Sequence, residues 1–309
     1  MSVTDRPTAL VLGATGGIGS ALIRELHADG GPDRVKVRAT FRRPEAGESL
    51  KKLGVETALL DLDGVERVPI AHHEPLRAAL AGVDRLFLLT GYSVDMLVQS
   101  KAVIDAAKVL GVKHIVHLGA WAKDDTTIVH LGWHQFVERY IAGLGFDFTH
   151  LRPNVFMQNI LKFSLGDDGI IRQFIGDAAV SWVDTDDVAL AAASVLREPE
   201  KHRGKTYPLA VEALSVAGVA AVLTDVIGKP FRYEPTSPDV WRDGAIQGGL
   251  EPLYARCVHN VFTRTAEGTL TDAADVFDDF ETLTGRKPTL WRDHAAKHRD
   301  AFLARFAKP

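Results

Sequence analysis

Cysteine is almost absent from this chain, whose 309 residues include only Cys257. A single cysteine cannot form an internal disulfide. This excludes the class of small secreted proteins held together by disulfides and fits a reducing cytoplasm. No apolar run approaches the length of about 20 residues that a membrane-spanning helix needs. The amino terminus also lacks the charged and then apolar order of a signal peptide. The sequence therefore predicts a soluble cytoplasmic protein with no membrane partner.

A strong excess of one charge is also missing. Lysine and arginine total 36 and aspartate and glutamate total 40, which gives a net charge of −4. Proteins that bind nucleic acid or anionic membranes concentrate basic residues in patches or tails, so we expect neither as a partner. The chain is long enough to bury a large core, as one large domain or two smaller ones.

A glycine-rich turn stands near the start of the chain. It follows the apolar, strand-like run Thr8–Leu12 and precedes a helical repeat of apolar residues from Ile18 to Leu26. Its glycines Gly13, Gly16 and Gly19 are three residues apart. A strand, a glycine turn and a helix in this order bind dinucleotides, because backbone N–H groups and the helix N-terminus can approach a pyrophosphate. The alternative is a glycine-rich loop without a ligand.

Two arginines follow the second predicted strand. This strand, Val35–Phe41, leads directly into Arg42 and Arg43. Sites specific for NAD carry an acidic residue here that binds the ribose 2′-hydroxyl, whereas arginine accommodates a 2′-phosphate. The sequence therefore predicts that NADP(H) is preferred over NAD(H). The alternative is a solvated arginine pair in a turn.

Strands and helices then alternate along the first half of the chain. Further strands are predicted at Val55–Leu60, Asp84–Thr90, His114–Leu118 and Phe146–Leu151. This alternation predicts an α/β fold of the Rossmann type, a doubly wound parallel sheet over residues 1–153 with returning segments around 179–209. In the last of these, Lys205–Leu209, Pro208 confines the strand to an edge of a sheet. Residues 154–309 are expected to form a smaller, mainly helical substrate lobe.

The cofactor site is expected beyond the carboxyl ends of the strands, where ligands lie in open parallel sheets. For Asp61 the alternative to a cofactor contact is a structural role, since a carboxylate just past a strand can cap the next turn. The residues predicted to bind the dinucleotide are Gly13, Thr15, Gly16, Gly17, Ile18, Gly19, Arg42, Arg43, Asp61, Thr90, Gly91, Gly119, Pro153 and Asn154.

Several ordered blocks resemble the NmrA-like family of atypical short-chain dehydrogenase/reductases. They are GATGGIG, ATFRR, DAAKVLGVKHIVHLGA, HQFVERYIAGLGFDFTHLRPNVFMQN, WVDTDDVA and LTGRKP. The resemblance extends over essentially the whole chain and implies a Rossmann domain that prefers NADP(H), with a smaller carboxyl-terminal lobe. Family members include quinone, azo-dye and triphenylmethane reductases, isoflavone-type reductases and redox-sensing regulators. The resemblance therefore implies the cofactor but not the reaction.

The catalytic positions of ordinary short-chain dehydrogenases are all altered. Those enzymes use a tyrosine and a lysine four residues apart, and by alignment His134 and Glu138 stand in their places, which makes these two the candidate catalytic residues. Gly119 and Ala120 stand where a serine or threonine is expected. The Tyr–Lys route to alcohols and ketones is therefore not expected. An electron-poor acceptor can take hydride directly from a nicotinamide.

His134 is the candidate proton donor for such a reaction, because an unperturbed histidine titrates close to neutrality. The alternative is a structural His134 that hydrogen-bonds Glu138 one helical turn away. His130, His134 and Glu138 do share one helix face. The first and last are about 12 Å apart along the axis and cannot share one ion, so no metal site is predicted.

Apolar residues near the strand ends are candidate walls of a substrate pocket. They are Trp121, Trp133, Phe156 and Met157, and each of them could equally be ordinary core. The sequence thus predicts an NADPH-dependent oxidoreductase that passes hydride to an aromatic or conjugated small molecule, such as a quinone, dye or enone. One alternative is a non-catalytic NADP(H)-binding redox sensor with a protein partner. Another is imine or isoflavone-type reduction with a recruited lysine, Lys101 or Lys123.

Overall fold

The structure is a computed structural model that describes residues 6–27 and 35–306. The strands are β1 Thr8–Val11, β2 Lys36–Phe41, β3 Glu56–Leu59, β4 Arg85–Leu88, β5 His114–Leu118, β6 Asp147–Pro153, β7 Val155–Phe156, β8 Ile170–Gln173, β9 Ala179–Val183, β10 Lys205–Leu209, β11 Glu212–Ser215 and β12 Arg232–Pro235. The helices are α1 Gly17–His27, α2 Pro44–Lys51, α3 Glu74–Leu80, α4 Met96–Val109, α5 Val129–Gly143, α6 Thr185–Arg197, α7 Pro199–His202, α8 Val216–Ile227, α9 Pro238–Gln247, α10 Pro252–Ala266, α11 Asp279–Thr284, α12 Trp291–Lys297 and α13 Arg299–Leu303. Short 3₁₀ turns at Val65–Arg67 and Ile70–His72 and a π-helical turn at Ile160–Ser164 complete the set.

Backbone contacts divide the chain into two compact units. Unit 1 comprises residues 1–120, 133–152 and 188–207, and unit 2 comprises residues 121–132, 153–187 and 208–309. The segment that returns to unit 1 is therefore shorter than the expected 179–209. The difference arises because β9 pairs with β7 and β11 in a sheet of unit 2.

A sheet of seven strands forms the centre of unit 1 within the described ranges. Its order is β10-β6-β5-β4-β1-β2-β3, and each neighbouring pair from β6 to β3 is parallel. β1 lies between β2 and β4, with Val11 opposite Ala39 on one side and Phe87 on the other. The strand order reverses beside β1, as in dinucleotide-binding folds. This confirms the predicted Rossmann-type sheet.

The central strands of this sheet, β1, β4 and β5, are buried, as parallel strands are when helices cover both faces of the sheet. All of the residues of β1 and β5 are buried. α1 turns Leu22, Ile23 and Leu26 inwards, each at most 1% exposed. β10 lies at the edge of the sheet, as Pro208 predicts, since proline cannot donate to a further neighbouring strand.

Unit 2 combines helices with two small sheets in its described residues. One sheet has the order β11-β9-β7 and the other pairs β12 with β8. The core packs around Trp182 and Trp291, both fully buried, whose rings meet edge to face at 5.2 Å. The Trp182 indole N–H donates to the Leu214 carbonyl at 3.0 Å, so its polar atom is satisfied. Strands of two to five residues are too short for hydrophobic periodicity to predict how they pair.

None of the helices in residues 6–27 and 35–306 has the length and apolarity needed to cross a membrane.

Candidate dinucleotide and redox site

The glycine-rich loop after β1 exposes its main chain at the surface of unit 1. Gly13 adopts a φ of +67°, a conformation that favours glycine, and the Gly16 N–H closes the turn on the Gly13 carbonyl at 3.0 Å. Gly13, Thr15, Gly16 and Gly17 are exposed, whereas the Ile18 side chain is buried. Ile18 can therefore meet a ligand only through its backbone. The first amides of α1 have no intrahelical partner and are available to an anion.

The glycines of this loop have different structural roles. A Cβ atom at Gly19 would lie 2.2 Å from the Gly13 carbonyl oxygen, so only glycine lets α1 pack this closely on the loop. A Cβ atom at Gly17 would meet no atom within 4 Å. Gly19 is thus needed by the fold, while Gly17 faces open space that a phosphate group could occupy.

Arg42 and Arg43 are exposed at the carboxyl end of β2. The Arg42 Nη1 atom lies 3.7 Å from Asp63 Oδ2, and both side chains are about two-thirds exposed, at 70% and 67%. An exposed ion pair of this length stabilises the protein little. Arg42 therefore remains available to a stronger anionic partner such as a phosphate.

The ends of β3, β4 and β5 carry the next predicted cofactor residues. Asp61 accepts a hydrogen bond from the Asp63 N–H at 3.1 Å, which is the turn-capping contact that the sequence left as the alternative. Thr90 is partly buried and Gly91 exposed after β4. Gly119 is buried after β5. Because these strands are parallel, their carboxyl ends share one edge of the sheet with the glycine loop and Arg42.

Glu138 has a strong partner of its own, Arg152 at the end of β6. The Arg152 Nε–H donates to Glu138 Oε1 at 2.9 Å, and its Nη2 lies 2.5 Å from Oε2. The two side chains are 13% and 6% exposed. A two-pronged guanidinium–carboxylate contact of this kind fixes both groups in one geometry. Glu138, which stands at the lysine position of ordinary short-chain dehydrogenases, is thus one partner of a buried ion pair.

His134 lies beside a buried histidine of β5. Its Nδ1 is 3.4 Å from the Nε2 of His117, and the ring centroids are 5.4 Å apart. Burial holds the pKa of His117 well below its usual value, and the nearby His134, His150 and Arg152 lower it further. Burial also lowers the pKa of His150, to about 3. Both buried rings are therefore neutral.

His117, Glu138 and His150 each place one donor atom within 4.8 Å of the other two. This is a different set from the histidines of α5 weighed in the sequence. The Arg152 guanidinium binds both oxygens of Glu138, and its positive charge opposes a cation at the same place. The arrangement therefore fits a neutral histidine cluster with an ion pair rather than a metal centre.

The remaining predicted residues have packing or hydrogen-bonding roles. Asn154 donates from its amide to Ser181 Oγ at 2.8 Å and to the Ala273 carbonyl at 3.0 Å within unit 2. The carbonyl of Pro153 accepts from the Trp121 N–H, and the Trp121 indole N–H donates to the Asp272 carbonyl at 3.1 Å.

Of the four candidate substrate residues, Met157 is fully buried in the core of unit 2, so it is not open to a substrate. Trp121 and Phe156 are partly buried, and Trp133 packs partly buried against the core of unit 1.

A second polar cluster in unit 2 surrounds Asp184, which is fully buried. Its carboxylate accepts from His294 Nδ1, from the Gln158 amide and from the Asp186 backbone N–H at 2.7–2.8 Å. Burial alone would raise the pKa of Asp184, but these donors hold it below its ordinary value. His298 lies close by. Since these donors already engage both Asp184 oxygens, the cluster fits a structural clamp within unit 2, between the segment that follows β9 and α12, better than a metal centre.

His117, His150 and Arg152 were not singled out by the sequence analysis. The signal for His117 was present, because buried parallel strands are mostly apolar and β5 reads His-Ile-Val-His-Leu. Arg152 gave no comparable signal. Its partner lies 14 residues earlier on another element, and only the packing of α5 on the sheet brings the two together.

The profile of the NmrA-like family matches residues 5–284. An NAD(P)H azoreductase of Xenophilus azovorans is 31% identical over 299 residues, covering 96% of this chain and 99% of the relative. A (4-alkanoyl-5-oxo-2,5-dihydrofuran-3-yl)methyl phosphate reductase of Streptomyces griseus is 33% identical over 306 residues, covering 95% and 98%. A solved structure of Citrobacter sp. triphenylmethane reductase complexed with NADP(H) shares 26% identity with a TM-score of 0.76, covering 94% and 99%.

Replacing Glu138 with glutamine is expected to lower the free energy of unfolding by about 3 kcal/mol, because it removes the carboxylate charge that pairs with the buried Arg152. Urea unfolding followed by circular dichroism measures this change. Glu48→Gln is the matched control, since Glu48 pairs with Lys51 at 2.8 Å on the surface, and it should change stability by less than about 0.5 kcal/mol. A Glu138→Gln protein of unchanged stability would contradict the structural role of the pair.

Proposed function

The chain belongs to the NmrA-like family, and from this premise we propose that it reduces an aromatic or conjugated small molecule with NADPH. It is an NAD(P)H-dependent oxidoreductase, like the azoreductase relative. The acceptor classes that fit are azo dyes, quinones and enones. The observation that carries the proposal is the shared edge of the unit 1 sheet, where an exposed glycine loop and two exposed arginines stand at the ends of β1 and β2.

The glycine loop and α1 would hold the pyrophosphate of the cofactor. The exposed backbone at Gly16 and Gly17 leaves room for close approach, and the helix N-terminus supplies partial positive charge. Arg42 and Arg43 would hold the 2′-phosphate, which favours NADPH over NADH. The related triphenylmethane reductase structure contains NADP(H), which supports this preference.

The residues at the redox centre favour acceptors that need little activation. When bound, the nicotinamide supplies hydride, which adds to the electron-poor atom of the acceptor. Ordinary short-chain dehydrogenases activate ketones with a tyrosine whose pKa a nearby lysine lowers, and here Glu138 stands at the position of that lysine and binds Arg152. An azo group, quinone or enone accepts hydride directly, and a proton from water completes the reduction. The azoreductase relative supports this class of acceptor.

Two alternatives from the sequence are weaker. Relatives with 31% and 33% identity over nearly the whole chain are reductases, so a non-catalytic sensor is not favoured. For reduction through a recruited lysine, the observed contact of Lys101 is an ion pair with Asp105 on the same helix, and no contact of Lys101 among the described residues supports a catalytic role.

The proposal is tested by following the loss of NADPH absorbance with purified protein and a panel of azo dyes, quinones and enones. We expect oxidation of NADPH that depends on the acceptor and proceeds more slowly with NADH. Tight NADPH binding without oxidation by any member of the panel would overturn the reductase proposal in favour of the sensor.

Gly17→Val is expected to raise the Kd for NADPH at least about tenfold, because the added side chain fills the space proposed for the pyrophosphate. Titration of NADPH fluorescence measures the Kd. Gly244→Val is the control, since Gly244 is also an exposed helical glycine whose Cβ would meet no atom within 4 Å. Equal Kd values for the two variants would show that the pyrophosphate does not bind at this loop.

The double variant Arg42→Ala, Arg43→Ala is expected to raise the Kd for NADPH about 10- to 100-fold and the Kd for NADH little, because a charge-assisted hydrogen bond contributes about 1.5–3 kcal/mol. Isothermal titration with each cofactor separates the two effects. Lys51→Ala, Lys52→Ala removes the same charge from exposed positions at the end of α2 and should leave both affinities unchanged. A parallel loss of NADPH and NADH affinity in the arginine variant would refute the 2′-phosphate assignment.

A further inference from the structure

We propose that His117 is a positioning residue that determines which ring nitrogen of His134 carries the proton. In this arrangement His117 donates a hydrogen bond from Nε2 to Nδ1 of His134, and His134 keeps its own proton on Nε2. The inference rests on the proposed function for its consequence in turnover. The protonation pattern itself can be measured without any substrate.

The geometry of unit 1 brings the two rings together. His117 is 2% exposed on β5, and its Nε2 lies 3.4 Å from Nδ1 of His134 on α5. The rings are inclined by 38° with their centroids 5.4 Å apart. At this distance one of the facing nitrogens must donate and the other accept, because two lone pairs or two protons would repel each other.

The surroundings of Nδ1 of His117 decide which of the two histidines donates the hydrogen bond between them. Its Nδ1 is buried and has no hydrogen-bond partner among the described residues. Buried N–H groups without an acceptor are rarer than buried acceptors without a donor, so the proton of neutral His117 belongs on Nε2. Nδ1 of His134 is then the acceptor.

Burial, together with the groups that face His117, keeps its ring neutral. Arg152 approaches from β6, and its charge is balanced by Glu138 of α5 through their ion pair. His150, also from β6, places its ring 5.7 Å away. Burial, His134, His150 and Arg152 all lower the pKa of His117. A second proton on His117 is therefore disfavoured.

The absence of a side chain at Gly119 is part of the same arrangement. A Cβ atom there would lie 3.2 Å from Cε1 of His117 and 3.3 Å from Oε1 of Glu138. Both contacts are tighter than ordinary van der Waals packing. The glycine that replaces the usual serine or threonine thus makes room for the His117 ring and the ion pair.

The consequence is a neutral His134 that acts through its Nε2–H. An imidazolium would carry a proton on Nδ1 as well, directly opposite the N–H of His117, so this form is disfavoured. His134 therefore serves the proposed reaction as a hydrogen-bond donor to the oxygen or nitrogen that gains negative charge when hydride arrives. The proton that completes the reduction comes from water, so His134 itself gives up no proton.

Nitrogen NMR of the full chain labelled with ¹⁵N-histidine tests the assignment. At about pH 8, above the ordinary histidine pKa of about 6.5, we expect His134 to show a protonated Nε2 and an Nδ1 shifted by an accepted hydrogen bond. A His134 that is cationic, or protonated on Nδ1, would overturn the proposal. This spectrum needs no variant, no cofactor and no turnover.

Variants then connect the tautomer to His117. In His117→Phe the Nδ1 signal of His134 should move to the position of an unbonded lone pair, and His117→Gln, whose amide can donate, should restore it. The control is His150→Phe, since His150 is also buried with an unpartnered Nδ1 but should leave His134 unchanged. An identical His134 spectrum in wild type and His117→Phe would refute the role of His117.

Kinetics provide an independent readout once an acceptor is known. His117→Phe should lower kcat about 10- to 100-fold by misorienting His134, with the Kd for NADPH changed less than about twofold. If no acceptor is turned over, the proposed function fails, while the NMR result still decides the tautomer. A kcat equal to that of wild type would show that the orientation of His134 does not matter for the reaction.

Discussion

Parallel pairing of six neighbouring strands is the constraint on which the candidate site depends. Because β3, β2, β1, β4, β5 and β6 all run in the same direction, their carboxyl ends share one edge of the sheet. The residues that follow β1 and β2 are distant in sequence from those that follow β5, yet the sheet gathers them at this edge. The glycine loop, the arginine pair and Gly119 owe their common location to the sheet rather than to any contact among themselves.

The buried polar groups of unit 1 form the second constraint. A guanidinium and two neutral histidines surround Glu138, which stands at the lysine position of ordinary short-chain dehydrogenases. Burying such groups is unfavourable unless they are paired, and the contact between Arg152 and Glu138 meets that condition. The same contact engages a carboxylate that the sequence offered as a catalytic group. The proposed reduction then depends on the cofactor and on orientation more than on proton transfer by a side chain.

Structural features that depend on consecutive residues were predictable from the sequence. The glycine turn, the alternation of strands and helices, and the edge position that Pro208 dictates all follow from short-range rules. The candidate cofactor residues remain predictions, although the exposure of Gly17 and Arg42 is compatible with them. Contacts between side chains of separate elements were not predictable. Arg152 on Glu138, His117 beside His134 and the burial of Met157 depend on how helices and strands pack, which a single sequence does not specify.

The return of residues 188–207 to unit 1 has a consequence for modularity. Neither unit is one contiguous stretch of the chain, so no single cut separates a complete dinucleotide-binding half. A fragment that ended at Pro153 would lose β10 and leave the buried strand β6 as a bare edge, a surface prone to pair with other chains. A gene fusion or domain exchange that is to keep unit 1 intact must therefore include the segments of unit 2 that lie between its parts.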